Sequence, residues 1–403
     1  MPRPKAVLAY SGGLDTSVMI RWLIELKDFD VIAMVGDVGQ ERQDLDFIRK
    51  KAFDIGAIDC LVVDMRQEFV DDFLTKEIAA NGLYENKYPL VSALSRPILV
   101  KHLVEVARRF DAEYVVHGCT GKGNDQVRFE VGAVTLNPDL QVLAPVRDWD
   151  LLTREQEMEW AAARGIPVPA TAEQPYSVDD NVWGRTIECG ILEDPWVEPP
   201  EDIYALTCSP ADAPDEPGYI EVGFQAGIPC SLNGEEKAFY DIIMELNSFG
   251  GSHGYGRIDM IENRLVGLKS REIYETPGAL ALITAHQALE DMTLDRDLLH
   301  YKLAVEQEWS TRVYFGQWYS PLKQALDAFI ASTQAAVTGE VRLRFYKGGC
   351  VVVGRRSDYA LYDYSLATYG EADSFDRSAS KGFIDIYGLP MKTWGRQQRK
   401  LGL

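Results

Sequence analysis

Residues 9–17, AYSGGLDTS, set two glycines, three hydroxyls and one carboxylate between a short apolar run and a segment of helical periodicity. Gly12 and Gly13 are free to take positive φ and let a ligand approach the backbone, so the following amides converge at a helix N-terminus. That is an anion site, to which the helix dipole adds about 0.3–1 kcal/mol per charge. Ser11, Thr16 and Ser17 supply hydroxyls suited to phosphate oxygens, although Ser and Thr at a helix start are as often plain caps. SGG alone therefore supports no more than a capped helix; the whole string behind a buried strand points to phosphate. Asp15 would be repelled there unless Mg²⁺ or backbone donors compensate, which hints at a metal-bound nucleotide. No protein ligand set for a metal is assigned.

Other phosphate motifs are excluded. GCTGKGND (118–125) is no Walker A loop, because Gly123 follows Lys122, and GDVGQ (36–40) is no dinucleotide fingerprint. The six cysteines show no Cys-x-x-Cys pair and the five histidines no close ligand spacing, so free thiols in a reducing cytoplasm are expected. A formal charge of −21 disfavours nucleic acid and anionic membranes and leaves small molecules as the expected ligands. The N-terminal apolar stretch is too short for a secretory signal, and no run reaches the ~18 apolar residues of a membrane span.

The elements that must position the loop follow from periodicity. Apolar runs at 5–10, 31–36, 58–63 and 113–118 alternate with helix-period segments at 16–27, 44–55 and 93–110. The pattern predicts an α/β fold with a doubly wound, mostly parallel sheet. The loops SGGLDTS, GDVGQ and GCTGKGND then share the rim at the strands' carboxyl ends, where ligands bind such sheets. Three prolines and a glycine in 165–176 mark a domain boundary, giving a nucleotide-binding domain over 1–168 and an α+β domain over 169–403. In the second domain we expect an irregular acidic, Pro-rich segment at 194–219 and a helix at 234–248 stopped at FGG. A helix capped by Thr276 with Pro277 in its first turn, two more helices reaching about 334, and a hairpin over 340–356 around Gly348 and Gly349 follow. Lys392, Arg396, Arg399 and Lys400 give the end of an acidic chain a basic tail, compatible with a solvated helix end or with an acidic neighbouring subunit.

SGGLDTS resembles the pyrophosphate loop (PP-loop) of ATP pyrophosphatases, adenine nucleotide α-hydrolase-like enzymes that cleave ATP between its α and β phosphates. Together with HGCTGKGNDQVRFE (117–130) it resembles the argininosuccinate synthases. The similarity continues through YPLVSALSRP (88–97), PYSVDDNVWGRTIECGILEDPW (175–196), GRIDMIENRLVGLKSREIYETPGA (256–279) and GFIDIYGLP (382–390), and so spans nearly the whole chain.

This resemblance implies ATP-dependent ligation of citrulline and aspartate in arginine biosynthesis. The ureido oxygen of citrulline attacks the α-phosphate, pyrophosphate leaves, and the aspartate amine displaces AMP from citrullyl-adenylate. No enzyme nucleophile is required, in keeping with the lack of a Ser-His-Asp or Cys-His arrangement. Positioning and charge stabilisation fall to Ser11, Asp15, Thr16 and Asp125. ATP, with Mg²⁺, would be held by Ala9, Tyr10, Ser11, Gly12, Gly13, Leu14, Asp15, Thr16, Ser17, Gly36 and Gly118, and aspartate by Thr120, Asn124 and Asp125. Citrulline would be held by Tyr88, Ser92, Asn124, Arg128, Ser177, Thr186, Glu262 and Tyr274, with the Arg128 fork pairing bidentately with its carboxylate. At 186 the chain carries Thr where some family members have Ser. Lys122 suits a ligand anion and a solvated stem equally, and His117 reads as a structural strand-end histidine. The resemblance further implies a cytoplasmic homotetramer joined partly by a tail at about 365–403, the second domain serving synthesis and multimerisation.

Two rivals differ in kind. The first is another PP-loop enzyme, a tRNA-thiolating or amide-forming ligase; those acting on tRNA call for a basic face and reactive cysteines, against the charge of −21 and the lack of paired thiols. A non-catalytic nucleotide sensor needs no second or third substrate pocket, against Asn124, Asp125 and Arg128.

Overall fold

A computed structural model describes residues 2–40, 44–151, 153–167 and 176–403. Within residues 1–359, one compact unit, the first half builds a five-stranded sheet. It is formed by β1 (Lys5–Ala9), β2 (Asp30–Asp37), β3 (Asp59–Asp64), β4 (Tyr114–Val116) and β5 (Gln141–Leu143). The order is β3-β2-β1-β4-β5 and every pairing is parallel. Buried Val, Ile, Leu, Ala and Met run through β1 and β2 without polar alternation, as strands covered on both faces require. Helices Leu14–Lys27, Leu45–Ile55, Val91–Phe110 and Asp125–Leu136 supply the crossovers. Winding reverses between β1 and β4, which opens a crevice at their carboxyl ends.

The four expected strands and three expected helices are present, each with ends within two residues of the expected ones. Three-residue β5 carries too short a pattern to be read. Between β3 and helix Val91–Phe110 the chain forms a helical stretch over 66–79 with a π-turn at Phe69–Leu74, which the sequence reading did not anticipate.

The second half adds two antiparallel sheets. One has the order β11-β12-β7-β6, from β6 (Ser177–Asn181), β7 (Gly184–Glu188), β11 (Arg257–Asn263) and β12 (Lys269–Glu275). The other has the order β10-β9-β8-β13-β14, from β8 (Gly218–Gln225), β9 (Ile228–Leu232), β10 (Glu235–Glu236), β13 (Gly339–Tyr346) and β14 (Gly349–Arg356). The fold is thus α/β followed by α+β, as expected. The hairpin turns at Lys347 and Gly348, both with positive φ, one residue earlier than the glycine pair suggested. Helix Phe239–Ser252 starts later than expected, because 235–236 pair with β9, and it runs through the glycines of FGG. Thr276 does precede helix Pro277–Thr293, but its side chain makes no capping bond; its hydroxyl faces the carbonyl of Gly256. Helices Arg296–Tyr314 and Pro321–Thr333 complete this part.

The expected boundary at 168–169 lies outside the described residues. Apolar side chains on either side of it share one core, in which Val7, Ile32 and Phe69 belong to the same cluster as Trp183, Leu246 and Phe345. Residues 360–403 form a second unit. Its helices Ala379–Tyr387 and Leu389–Leu401 carry exposed Phe383, Ile384, Ile386, Tyr387 and Trp394. No helix among the described residues is long and apolar enough to cross a membrane.

Candidate active site

The loop after β1 takes the conformation its glycines permit. Gly12 has φ +78°, and a methyl group there would also lie 2.9 Å from Ile48 Cγ1. Gly13 is extended and starts the first helix, leaving the amides of its opening turn without intrahelical partners. Lys51, buried on helix Leu45–Ile55, donates from Nζ to the Gly12 carbonyl at 2.9 Å and pins the loop from behind. Burial lowers the pKa of that ammonium.

The hydroxyls divide. Ser11 Oγ and Thr16 Oγ1 lie 3.1 Å apart, and Ser11 Oγ accepts from the Gly13 amide at 3.3 Å. Both residues line a cavity of about 620 Å³ at the crevice, with Ala9, Tyr10, Gly13, Leu14, Asp15, Gly36 and Gly118. Ser17 is turned away: its hydroxyl donates to the Gly13 carbonyl at 2.6 Å and lies 3.2 Å from the Tyr10 hydroxyl, whose pKa burial pushes up to about 12. Neither Ser17 nor Gly12 faces the cavity. A methyl on Gly36 would run into Leu99 Cδ2 and lie 3.1 Å from Met65 Cε, so these side-chain ends would have to shift to admit it.

The far wall is the segment 176–180 leading into and along β6, which brings Ser177 and Asp179 to the cavity. Glu157 is buried on helix Arg154–Ala162; burial and the neighbouring Asp15 push its carboxyl up to about 8, and its Oε2 has no hydrogen-bond partner among the described residues. Those residues contain no group of three or more His, Cys, Asp and Glu side chains that could hold a metal ion. His117 is buried at the cavity wall. Its Nδ1 accepts from the Cys119 amide at 3.2 Å and its Nε2 lies 3.4 Å from Glu130.

Beside the cavity, helix Asp125–Leu136 opens onto a dense polar cluster. Asp125 Oδ2 accepts from Arg96 Nε at 2.9 Å and Nη2 at 2.8 Å, and its Oδ1 accepts from Arg128 Nη1 at 2.8 Å. Burial would raise this carboxyl, but the two guanidiniums overcome it and hold the pKa below the usual range. Arg128 Nε donates to the Tyr314 carbonyl at 3.0 Å, and its guanidinium lies 4.9 Å from the Tyr314 ring. Two of the three nitrogens of the expected fork are thus held by the protein. Gly316, at φ +74°, lets the chain pass the Arg128 backbone, where a methyl would approach Cα to 2.8 Å.

Asn124 donates from Nδ2 to the Tyr314 hydroxyl at 2.8 Å, and its Oδ1 accepts from the Leu265 amide at 2.9 Å. Glu262 accepts from the Tyr274 hydroxyl at 2.7 Å through Oε2 and from the Tyr314 hydroxyl through Oε1. Burial raises the Glu262 pKa, while the two phenols oppose the rise. Tyr88 stacks on Tyr274 with ring centres 4.3 Å apart, and its hydroxyl accepts from the Ser92 amide at 2.9 Å. Antiparallel pairing sets Tyr274 of β12 opposite Thr186 of β7, and the Thr186 hydroxyl donates to the Asp179 carbonyl at 3.2 Å.

The fold therefore gathers Tyr88, Asn124, Asp125, Arg128, Glu262 and Tyr274, and it leaves Thr120 on an exposed turn. Arg96, Lys51 and Tyr314 were missed. Arg96 stands inside YPLVSALSRP and was open to notice; Lys51 reads as one more surface lysine and Tyr314 as a core aromatic at helical spacing.

Comparison with known proteins agrees with this geometry. A family model described as the arginosuccinate synthase N-terminal HUP domain matches residues 5–167, and one described as the arginosuccinate synthase C-terminal domain matches residues 176–394. An argininosuccinate synthase of Symbiobacterium thermophilum is 55% identical over 399 residues, covering 99% of each chain. One of Halalkalibacterium halodurans is 53% identical over 401 residues, covering 100% of this chain and 97% of the relative. One of Geobacillus thermodenitrificans is 55% identical over 392 residues, covering 97% and 96%. With models matching both parts of the chain and relatives above half identity along its length, this chain belongs to the argininosuccinate synthase family.

Proposed function

We propose that the chain joins citrulline to aspartate at the expense of ATP, releasing AMP and pyrophosphate by way of citrullyl-adenylate, as a step of arginine biosynthesis. The observation that carries this reading is adjacency. A glycine-hinged anion loop lies at the switch point of a parallel sheet, and Arg96 links its cavity wall, through Asp179, to Asp125 and the cluster of Asn124, Arg128, Glu262 and Tyr274.

The helix N-terminus with Ser11 and Thr16 receives the triphosphate tail, and Gly36 and Gly118 admit the nucleotide along the rim. Asp125 and Asn124, with Thr120, take the ammonium and carboxylates of aspartate. Arg128 and Glu262, with Tyr88, Ser92, Ser177, Thr186 and Tyr274, take citrulline and aim its ureido oxygen at the α-phosphate. The protein supplies no nucleophile. It contributes by holding three substrates in line, an effect worth about 7–11 kcal/mol, and by donors placed where charge develops. Mg²⁺ binds through one or two carboxylates plus phosphate oxygens. Asp15, which lines the cavity at the loop, fits that donor set there, where the ion would offset phosphate charge. We further assign nucleotide binding to residues 1–168, synthesis and multimerisation to 169–403, and tetramer contacts in the cytoplasm to the tail at about 365–403.

Citrulline labelled with oxygen-18 in the ureido group tests the chemistry. Label is expected in AMP when citrulline, aspartate and ATP are all present; unlabelled AMP, or release of ADP, would rule the adenylate out.

A further inference from the structure

We propose that Tyr314 is a positioning residue that couples the aspartate and citrulline pockets by orienting Asn124, Glu262 and Arg128 at once. The inference rests on the substrate assignment above and adds a residue to it.

Hydrogen-bond direction carries the argument. An ionised Glu262 only accepts, so the Tyr314 hydroxyl must donate its single proton to Oε1. The Tyr314 hydroxyl oxygen in turn accepts from Asn124 Nδ2 at 2.8 Å. This fixes which way the Asn124 amide faces, and the Leu265 amide donating to Asn124 Oδ1 at 2.9 Å agrees with that orientation. One Nδ2 hydrogen is left for a ligand.

The backbone of Tyr314 does separate work. It is the last residue of helix Arg296–Tyr314, where carbonyls lack intrahelical partners and the dipole is negative. Its carbonyl accepts from Arg128 Nε at 3.0 Å. The ring is held by stacking on Tyr84, with centres 3.6 Å apart and planes within 4° of parallel. A tyrosine that served only the core would need one partner for its hydroxyl. This hydroxyl both accepts and donates, one partner, Glu262, belongs to the citrulline set and the other, Asn124, to both sets, and burial raises its pKa so that it stays protonated.

Steady-state kinetics of the full-length chain carrying Tyr314→Phe test the proposal, because phenylalanine keeps the ring and the carbonyl and removes only the relay. The KM values for citrulline and for aspartate are each expected to rise about tenfold, as suits loss of a hydrogen bond to a charged group, with the KM for ATP within about twofold of wild type. Tyr274→Phe, which takes the other phenol from Glu262, is expected to raise the KM for citrulline alone. An unchanged aspartate KM in Tyr314→Phe overturns the coupling. An equal rise in all three KM values also overturns it, since that is the signature of general loosening. If thermal unfolding shows that Tyr314→Phe does not fold, Glu262→Met breaks the relay from its other end. It must raise the aspartate KM, and a citrulline effect alone overturns the proposal. Failure of the substrate assignment is separable, because wild type would then release no pyrophosphate from ATP with both amino acids present.

Discussion

Arg96 Nη2 lies 2.7 Å from Asp179 Oδ2, a bond that ties helix Val91–Phe110 to β6 beside the crevice cavity. The same guanidinium holds Asp125, so Arg96→Ala takes this cation from Asp179 and leaves Asp125 with Arg128 alone. We expect a loss of about 2–3 kcal/mol, below the ~3–5 kcal/mol for a fully buried pair because both carboxylates keep partial exposure. The sign with pH follows from Asp125, whose folded pKa is held below its unfolded value. The stabilisation is present above the usual aspartate range and is lost as pH falls through the depressed value. Urea midpoints of wild type and variant should therefore converge toward acid pH; a constant gap would show that Arg96 acts by packing.

Gly36→Ala tests whether the cavity is the nucleotide's. The added methyl displaces Leu99, itself part of the cavity wall. Overpacking of this kind costs about 1–3 kcal/mol. Calorimetric titration with ATP is expected to show affinity reduced at least severalfold in a protein that still folds; wild-type affinity would move the nucleotide elsewhere.

Lys323 offers a pH effect far from the chemistry. Its ammonium is buried 3.1 Å from the centre of the Trp318 ring and 2.8 Å from Asp327 Oδ2. Burial lowers its pKa to about 7, with Asp327 opposing. Neighbouring Glu77 has both carboxyl oxygens buried without partners among the described residues, and burial raises its pKa well above the usual value. The unfolded chain thus binds more protons at position 323 between about pH 7 and the ordinary lysine value, so stability rises with pH across that window. Lys323→Met removes this slope. Relative to the variant, wild type should gain stability from pH 6.5 to pH 9.5 in chemical denaturation, and the opposite trend would refute the assignment.

What could be read in the sequence depended on how local the signal was. The strand, glycine turn and helix at 5–27 are written in consecutive residues, and the parallel sheet followed from four such runs. Three-residue β5 and the π-turn carry no period long enough to detect. At the site, GNDQVRF displays Asn124, Asp125 and Arg128 together, whereas Tyr314 reaches Asn124 only because a helix end 190 residues later folds back onto it. Nothing beside Tyr314 in the chain signals that meeting. Ser17 shows the opposite case: its neighbours match a phosphate loop, but its hydroxyl, one turn into a helix, bonds to the carbonyl four residues back.

The shared interior of the sheet-bearing half and the half that follows has a consequence for dissection. Cutting the gene at the expected boundary would divide one apolar cluster and open to water the side chains at which its two halves meet. Each fragment is expected to be less stable than the intact segment, and that segment up to Tyr359 should melt in a single cooperative transition. A shared interior of this kind ties the rigidity of the sheet crevice to the packing of the half that follows it.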